Sequence, residues 1–299
     1  HGLHSRTSSD SMQQYSSEYI LRPKDEPMKP VLLPTTPEPI AEDTWLIPTL
    51  AADPAGGYLG AHSAVIRGAE PVVIDTSVLF GREQWLRNVF SVVEPEDVRW
   101  VFLSHDDHDH LGNLEPVLDL CPNATLIANY AMTGRLFGDV ELPLDRMRWL
   151  NVGESIDVGD RELVMVRPPM FDSPASRGLF DTDTGMLWAV DSFGAAFPGA
   201  VYDAEDIPTE VYDPSFELLN LMNTPWMEWV DQARFDAHVQ ATESLPITVV
   251  ASAHGPLHRD ERIADGFRRT RELVGHAPAE QPGQDVLELL CAMLAATPV

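Results

Sequence analysis

The run Ser104-His105-Asp106-Asp107-His108-Asp109-His110 constrains this chain more than any other stretch. It follows the apolar segment Val98-Arg99-Trp100-Val101-Phe102-Leu103 and precedes Leu111-Gly112-Asn113-Leu114. The pattern predicts a buried strand that ends in a turn packed with imidazoles and carboxylates. Crowding so many ionisable groups is costly unless something compensates them. A pair of metal cations is the simplest compensator, and a solvated charged loop is the bland alternative.

Spacing adds to composition. His105, Asp107, Asp109 and His110 fit H-x-[H/E/D]-x-D-H, which resembles the dinuclear metal motif of the metallo-β-lactamase superfamily. Residues at its first and third positions share one side of an extended turn, and Asp109 and His110 open the following helix. The remaining ligands that the resemblance implies come from later strand ends. Asp191, closing Leu187-Trp188-Ala189-Val190, is similar to the bridging aspartate, and His254, before Gly255-Pro256, to the last histidine.

Hydrolases of this superfamily mostly carry His at the motif's second ligand position, where this chain has Asp107. A carboxylate there resembles the flavodiiron proteins and the stand-alone oxygen-binding diiron proteins. Their third ligand lies nineteen positions before the bridging aspartate, which here is Asp172 in Pro169-Met170-Phe171-Asp172-Ser173. The family residue there is normally histidine; a carboxylate instead resembles the diiron hydroxylases of peptide-antibiotic assembly. Only spacing supports Asp172. The interval from Asp191 to His254 is close to the flavodiiron one, and Asn220–Trp226 is similar to that family's helical insertion. The resemblance spans roughly residues 40–258.

The set it implies is His105, Asp107 and Asp172 on one metal, Asp109, His110 and His254 on the other, and Asp191 between them. Three imidazoles and four carboxylates, with no thiolate, form an oxygen-rich donor set that suits iron or manganese better than zinc. Four carboxylate charges balance two divalent ions, and with a bridging hydroxide or oxide they match an oxidised pair better. Two iron ions are therefore expected, with zinc or manganese left open.

Two chemistries follow. In the first, a reduced diiron pair binds O2 or NO and reduces or activates it. Flavodiiron proteins draw electrons from an attached flavodoxin domain; about forty residues follow His258, too few for one, so a separate electron donor is expected. In the second, a dinuclear hydrolase activates a bridging water against an ester, lactone, amide or phosphodiester, which are small-molecule substrates. Asp109 would then act as ligand and proton handler. His62, in the loop before the second apolar strand, is a further catalytic candidate, weighed against an ordinary solvent-facing histidine. His108 falls where a side chain points away from the metals, and His258 could hydrogen-bond a ligand carboxylate. Tyr202, Tyr212, Trp226 and Trp229 could wall the pocket, though aromatic residues in an insertion more often belong to the core. His1 and His4 carry no role.

The net charge of −27, from 20 basic and 47 acidic residues, argues against nucleic acid and anionic membranes. No apolar run is long enough for a membrane span. Cys121 and Cys291 stand far from the motifs and read as reduced thiols, and no secretory signal is evident, so a cytoplasmic location is expected.

Residues 1–39, polar and then Pro-rich, read as an extended or disordered N-terminal arm. Residues 40–299 read as one metallo-β-lactamase-like domain, an α/β fold of the αββα sandwich type with the metals at one edge of the two sheets. A strand pair returns at Gly68–Pro71, a helix covers Arg82–Val93, and a helical insertion occupies about 204–244, with its helix expected over Pro214–Ser244. Closing helices are expected over Glu261–Val274 and Asp285–Leu294. By analogy with flavodiiron relatives, an acidic insertion would suit a homodimer contact.

Overall fold

The computed structural model describes residues 31–54 and 56–296; the arm up to residue 30, with His1 and His4, lies outside the described residues. Residues 31–35 run extended beside the first strands, with Leu33 N donating to Leu50 O at 3.0 Å and Thr35 Oγ1 to Pro48 O at 2.7 Å.

Strands β1 (Glu38–Ala41) and β2 (Thr44–Ile47) pair antiparallel, and β3 (Leu50–Ala52) and β4 (Tyr58–Gly60) form a separate ribbon. Strands β5 (Ser63–Ile66), β6 (Val72–Ile74), β7 (Trp100–Phe102), β8 (Thr125–Ala128) and β9 (Met147–Trp149) complete a seven-stranded sheet in the order β1-β2-β5-β6-β7-β8-β9. A six-stranded sheet follows in chain order: β10 (Ser155–Asp157), β11 (Glu162–Val166), β12 (Gly178–Asp181), β13 (Met186–Trp188), β14 (Val249–Ala251) and β15 (His258–Arg259). β6 to β9 are parallel to one another, as are β13 and β14.

The strand sequences explain the layering. Val72-Val73-Ile74 is apolar on both faces, as a strand buried from both sides must be. Val72 and Ile74 join Phe102, Met165, Trp188 and Ala251 between the sheets, whereas Val73 and Val101 face outward onto Trp85, Val89 and Val117. Phe180, Leu187 and Val250 likewise face out of the second sheet onto Tyr212, Phe216, Phe235 and Phe267. Helix, sheet, sheet, helix is therefore the order of layers. Each fully buried large apolar side chain contributes roughly 1.5–3 kcal/mol, so these three clusters hold the frame on which the site is mounted.

The insertion departs from expectation. Its first helix begins at Thr209, so Pro214 lies inside it, and the helical run is broken: Thr209–Asn223, a 3-10 turn Pro225–Trp229, then Gln232–Glu243. Pro225 is the cause, because the residue before a proline is pushed out of the α region, and Thr224 sits at φ −128°, ψ 64°. The helix expected over Arg82–Val93 ends at Val89, and the last helix runs Gln284–Ala296.

Parallel pairing within each sheet brings the carboxyl ends of β6, β7, β13 and β14 to one edge. Asp75, His105, Asp191 and His254 follow those four strands.

Candidate metal centre

The sharp exits from the strands aim the side chains. Asp75 leaves β6 at φ 56°, and Val190 leaves β13 at φ 59°. A β-branched residue in the left-handed region is strained, and Val190 is fully buried, with its carbonyl accepting from Ala253 N at 2.8 Å. This turn directs Asp191 across the sheet edge. Two glycines permit close approach at the same edge. A Cβ at Gly112, two residues after His110, would meet Leu79 N at 2.3 Å, and one at Gly255 would meet Phe193 O at 2.0 Å.

Six of the seven expected ligand side chains meet at that edge. His110 Nε2 lies 2.9 Å from Asp191 Oδ1, and His254 Nε2 lies 3.2 Å from that oxygen and 3.1 Å from Asp109 Oδ2. His105 Nε2 lies 2.8 Å from Asp172 Oδ1. The rings of His105 and His110 are 5.1 Å apart, and those of His110 and His254 5.5 Å. Donor atoms of His105, His110 and Asp191, and of Asp109, His110 and His254, fall within 4.8 Å of one another, so each trio could hold a cation. Asp172, assigned on spacing alone, therefore does reach the cluster. Asp107 is the seventh; its carboxylate stands 3.8 Å from His105 Nδ1, on the opposite side of the ring from Asp172.

The orientation of the rings is set from behind. His110 Nδ1 donates to Asp75 Oδ2 at 3.1 Å, and His254 Nδ1 to Gly60 O at 2.7 Å, so both present Nε2 to the carboxylates. Asp75 was not picked out as functional from the sequence, yet it is the hub of this shell. It accepts from Ser104 N (2.7 Å), the Ser104 hydroxyl, His110 Nδ1 and Trp188 Nε1 (3.0 Å). The signal was present: Asp75 closes the apolar run Val72–Ile74 just as Asp191 closes another.

Electrostatics point the same way. Burial opposes charge on His110, but Asp191 and Asp75 outweigh it and raise its pKa well above the ordinary value. Burial is likewise outweighed at His254, where Asp109 and Asp191 push the value up to about 10. Asp191 is itself buried, yet His110 and His254 hold it well below the carboxylate range. The cluster demands positive charge. Asp191 Oδ2 is buried without a hydrogen-bond partner, a cost a second cation neighbour would remove.

Other expected residues fall elsewhere. His108 is exposed, as its place in the motif implied. His62 is not solvent-facing: it is fully buried, Nδ1 accepts from Thr49 N at 3.2 Å, and Nε2 has no partner. Burial, with the nearby His254, pushes it down to about 3. It stands behind Gly60 and makes no hydrogen bond to the carboxylates. His258 does not reach a candidate carboxylate either; Nε2 pairs with the Tyr212 hydroxyl at 2.7 Å and Nδ1 with Pro256 O at 3.0 Å. Tyr212 is core, Trp229 is exposed, and Trp226 packs on Phe171, donating Nε1 to its carbonyl.

The family profile described as "ODP family beta lactamase" matches residues 61–255, more than half of the chain and all seven candidate ligands. The chain belongs to that family. As a family member it is 28% identical over 197 residues to diflavin flavoprotein A 2 of Nostoc sp., covering 66% of this chain and 33% of the relative. It is 25% identical over 203 residues to the anaerobic nitric oxide reductase flavorubredoxin of Pectobacterium atrosepticum, covering 67% of this chain and 39% of the relative. The chain thus spans between a third and two fifths of these relatives. Among solved structures, the flavodiiron protein from Giardia intestinalis has a similar fold (TM-score 0.69, 16% identity, 80% of this chain and 59% of that one). So has the rubredoxin oxygen:oxidoreductase of Desulfovibrio gigas (TM-score 0.69, 14% identity, 79% and 61%). The expected metallo-β-lactamase-like sandwich is the fold observed. No helix among the described residues is long and apolar enough to cross a membrane.

Proposed function

We propose that this chain is a non-haem diiron protein that binds O2 or NO and reduces or activates it, with electrons supplied by a redox donor. The observation that carries the reading is the donor set: three imidazoles and three carboxylates meeting at one sheet edge, a fourth carboxylate, Asp107, beside His105, no thiolate, and a buried Asp191 oxygen lacking a partner. Such a set suits iron. The names of the relatives, a flavorubredoxin and a diflavin flavoprotein, support a redox role.

His105, Asp107 and Asp172 would hold one ion, Asp109, His110 and His254 the other, and Asp191 both. Two iron ions there would supply reversible one-electron steps. The protein's own share is to orient and to insulate. Asp75 and Gly60 O keep the Nδ1 protons of His110 and His254, leaving Nε2 for the cation. Phe197 and neutral, buried His62 pack behind Gly60, whose carbonyl holds His254, and keep water from that side.

The test is metal analysis with anaerobic ultraviolet–visible spectroscopy on freshly purified protein. Two irons per chain, with absorption that bleaches on reduction and returns in air, are expected. A colourless dizinc protein, inert to dithionite and air but able to cleave an ester or lactone, would overturn the reading in favour of a hydrolase.

A further inference from the structure

Asp106 is not one of the expected ligands, yet its side chain is 1% exposed and a carboxylate oxygen lies within 4.8 Å of donor atoms of His105 and Asp107. A buried carboxylate is costly unless paired. Its pairing runs across the loops. Arg135, on the helix Tyr130–Leu136, forms an ion pair with Asp106. Ser173 Oγ donates to Asp106 Oδ1 at 3.3 Å and accepts from Ala175 N at 3.1 Å and from Arg135 at 3.4 Å. Asp106 immediately precedes Asp107, and Ser173 immediately follows Asp172. The clamp therefore ties together the two backbone positions that carry the carboxylates flanking His105. No other hydrogen bond between the side chains of these two loops, apart from His105 to Asp172 itself, occurs among the described residues.

We infer that Asp106, Ser173 and Arg135 are positioning residues that set the reach of Asp107 and Asp172 toward the cation on the His105 side. The inference rests on the dinuclear reading above. Mechanically, the ion pair fixes the height of the motif turn against the helix, and the serine hydroxyl carries that fixed point to the Asp172 loop. Neither group touches the other trio, so the effect is confined to one side of the site. Outer groups of this kind commonly change metal affinity about 10–100-fold.

The test is anaerobic titration of metal-free protein with Co(II), following the d–d absorption, alongside thermal melting. The parent is expected to bind two equivalents of unequal affinity. Ser173→Ala and Asp106→Ala are expected to weaken the looser equivalent at least tenfold and leave the tighter one within twofold. Asp106→Asn, which keeps an acceptor for Ser173 but loses the ion pair with Arg135, recovers only part of the loss. In a double-mutant cycle the two alanine changes add less than their sum in affinity, since either one opens the clamp. Should Asp106→Ala fail to fold, Ser173→Ala decides alone. Two equivalents in the parent with both affinities unchanged in Ser173→Ala, or both weakened equally, would overturn the inference. A parent that binds fewer than two equivalents would instead overturn the dinuclear reading beneath it.

Discussion

The two halves of the candidate centre are built to different standards. On one side, His110 and His254 have their Nδ1 protons held by Asp75 and Gly60 O, so Nε2 is already turned to Asp191 and Asp109. On the other, His105 Nδ1 accepts from Asp107 N at 3.0 Å, which leaves the ring proton on Nε2, facing Asp172. An imidazole that binds a cation through Nε2 must carry its proton on Nδ1. The first half is therefore preformed, whereas the second must give up the Asp107 N contact and swing the Asp107 carboxylate round. Both carboxylates of the second half are open to solvent, Asp107 being 50% and Asp172 31% exposed, although Asp109 in the first half is 37% exposed and the His105 ring in the second only 1%. A rigid half suits retention of a cation, and an adaptable, open half suits the approach of a small ligand.

The largest effect is expected from Asp191→Ala, because that carboxylate is the one proposed to serve both halves: bound iron should fall from two per chain to near none by elemental analysis. Retention of one full equivalent would show that the halves are independent. Asp107→Ala and Asp172→Ala should each lose about half of the bound metal while the circular dichroism spectrum and the fold survive. Two metals retained in both variants would sink the assignment of the open half. Asp75→Asn places an amide donor against four donors and frees the His110 ring; metal affinity of the preformed half should drop about 10–100-fold with stoichiometry kept at saturation. Its urea midpoint should fall by the equivalent of about 3 kcal/mol, the scale for breaking a buried charged network. Smallest is His108→Ala, which should leave both affinities within twofold; a loss of metal there would bring an exposed residue into the open half.

Much of this arrangement could be read along the chain. Each of Asp75, His105, Asp191 and His254 follows an apolar run, and a strand that ends in an ionisable residue at a sheet edge signals a site. Asp75 has the same signature as Asp191 but no place in the metal motif, so pattern alone passed it over. Asp172 carried no local signal, since Pro168–Pro174 is irregular chain and its contact with His105 depends on where that loop lands. His258 was misjudged for a related reason: four residues beyond His254 is close in sequence, but β15 turns back along β14 and buries the ring against Tyr212 instead. Pro214 and Pro225 were both visible, yet the helix tolerates the first and breaks at the second. The turn around Pro214 packs on the second sheet through Tyr212 and Phe216, whereas Pro225 pushes Thr224 out of the α region.

By itself the sequence determined the class of fold and the types of donor atom, because apolar period and motif spacing are local properties that survive whatever the rest of the chain does. Only the tertiary structure decided which nitrogen each histidine turns inward, which carboxylate stands behind it, and which half of the centre is preformed. Those depend on partners scattered from Gly60 to His254, brought within hydrogen-bond range when two sheets stack. No periodicity encodes such distances; packing of the strands between the helices does.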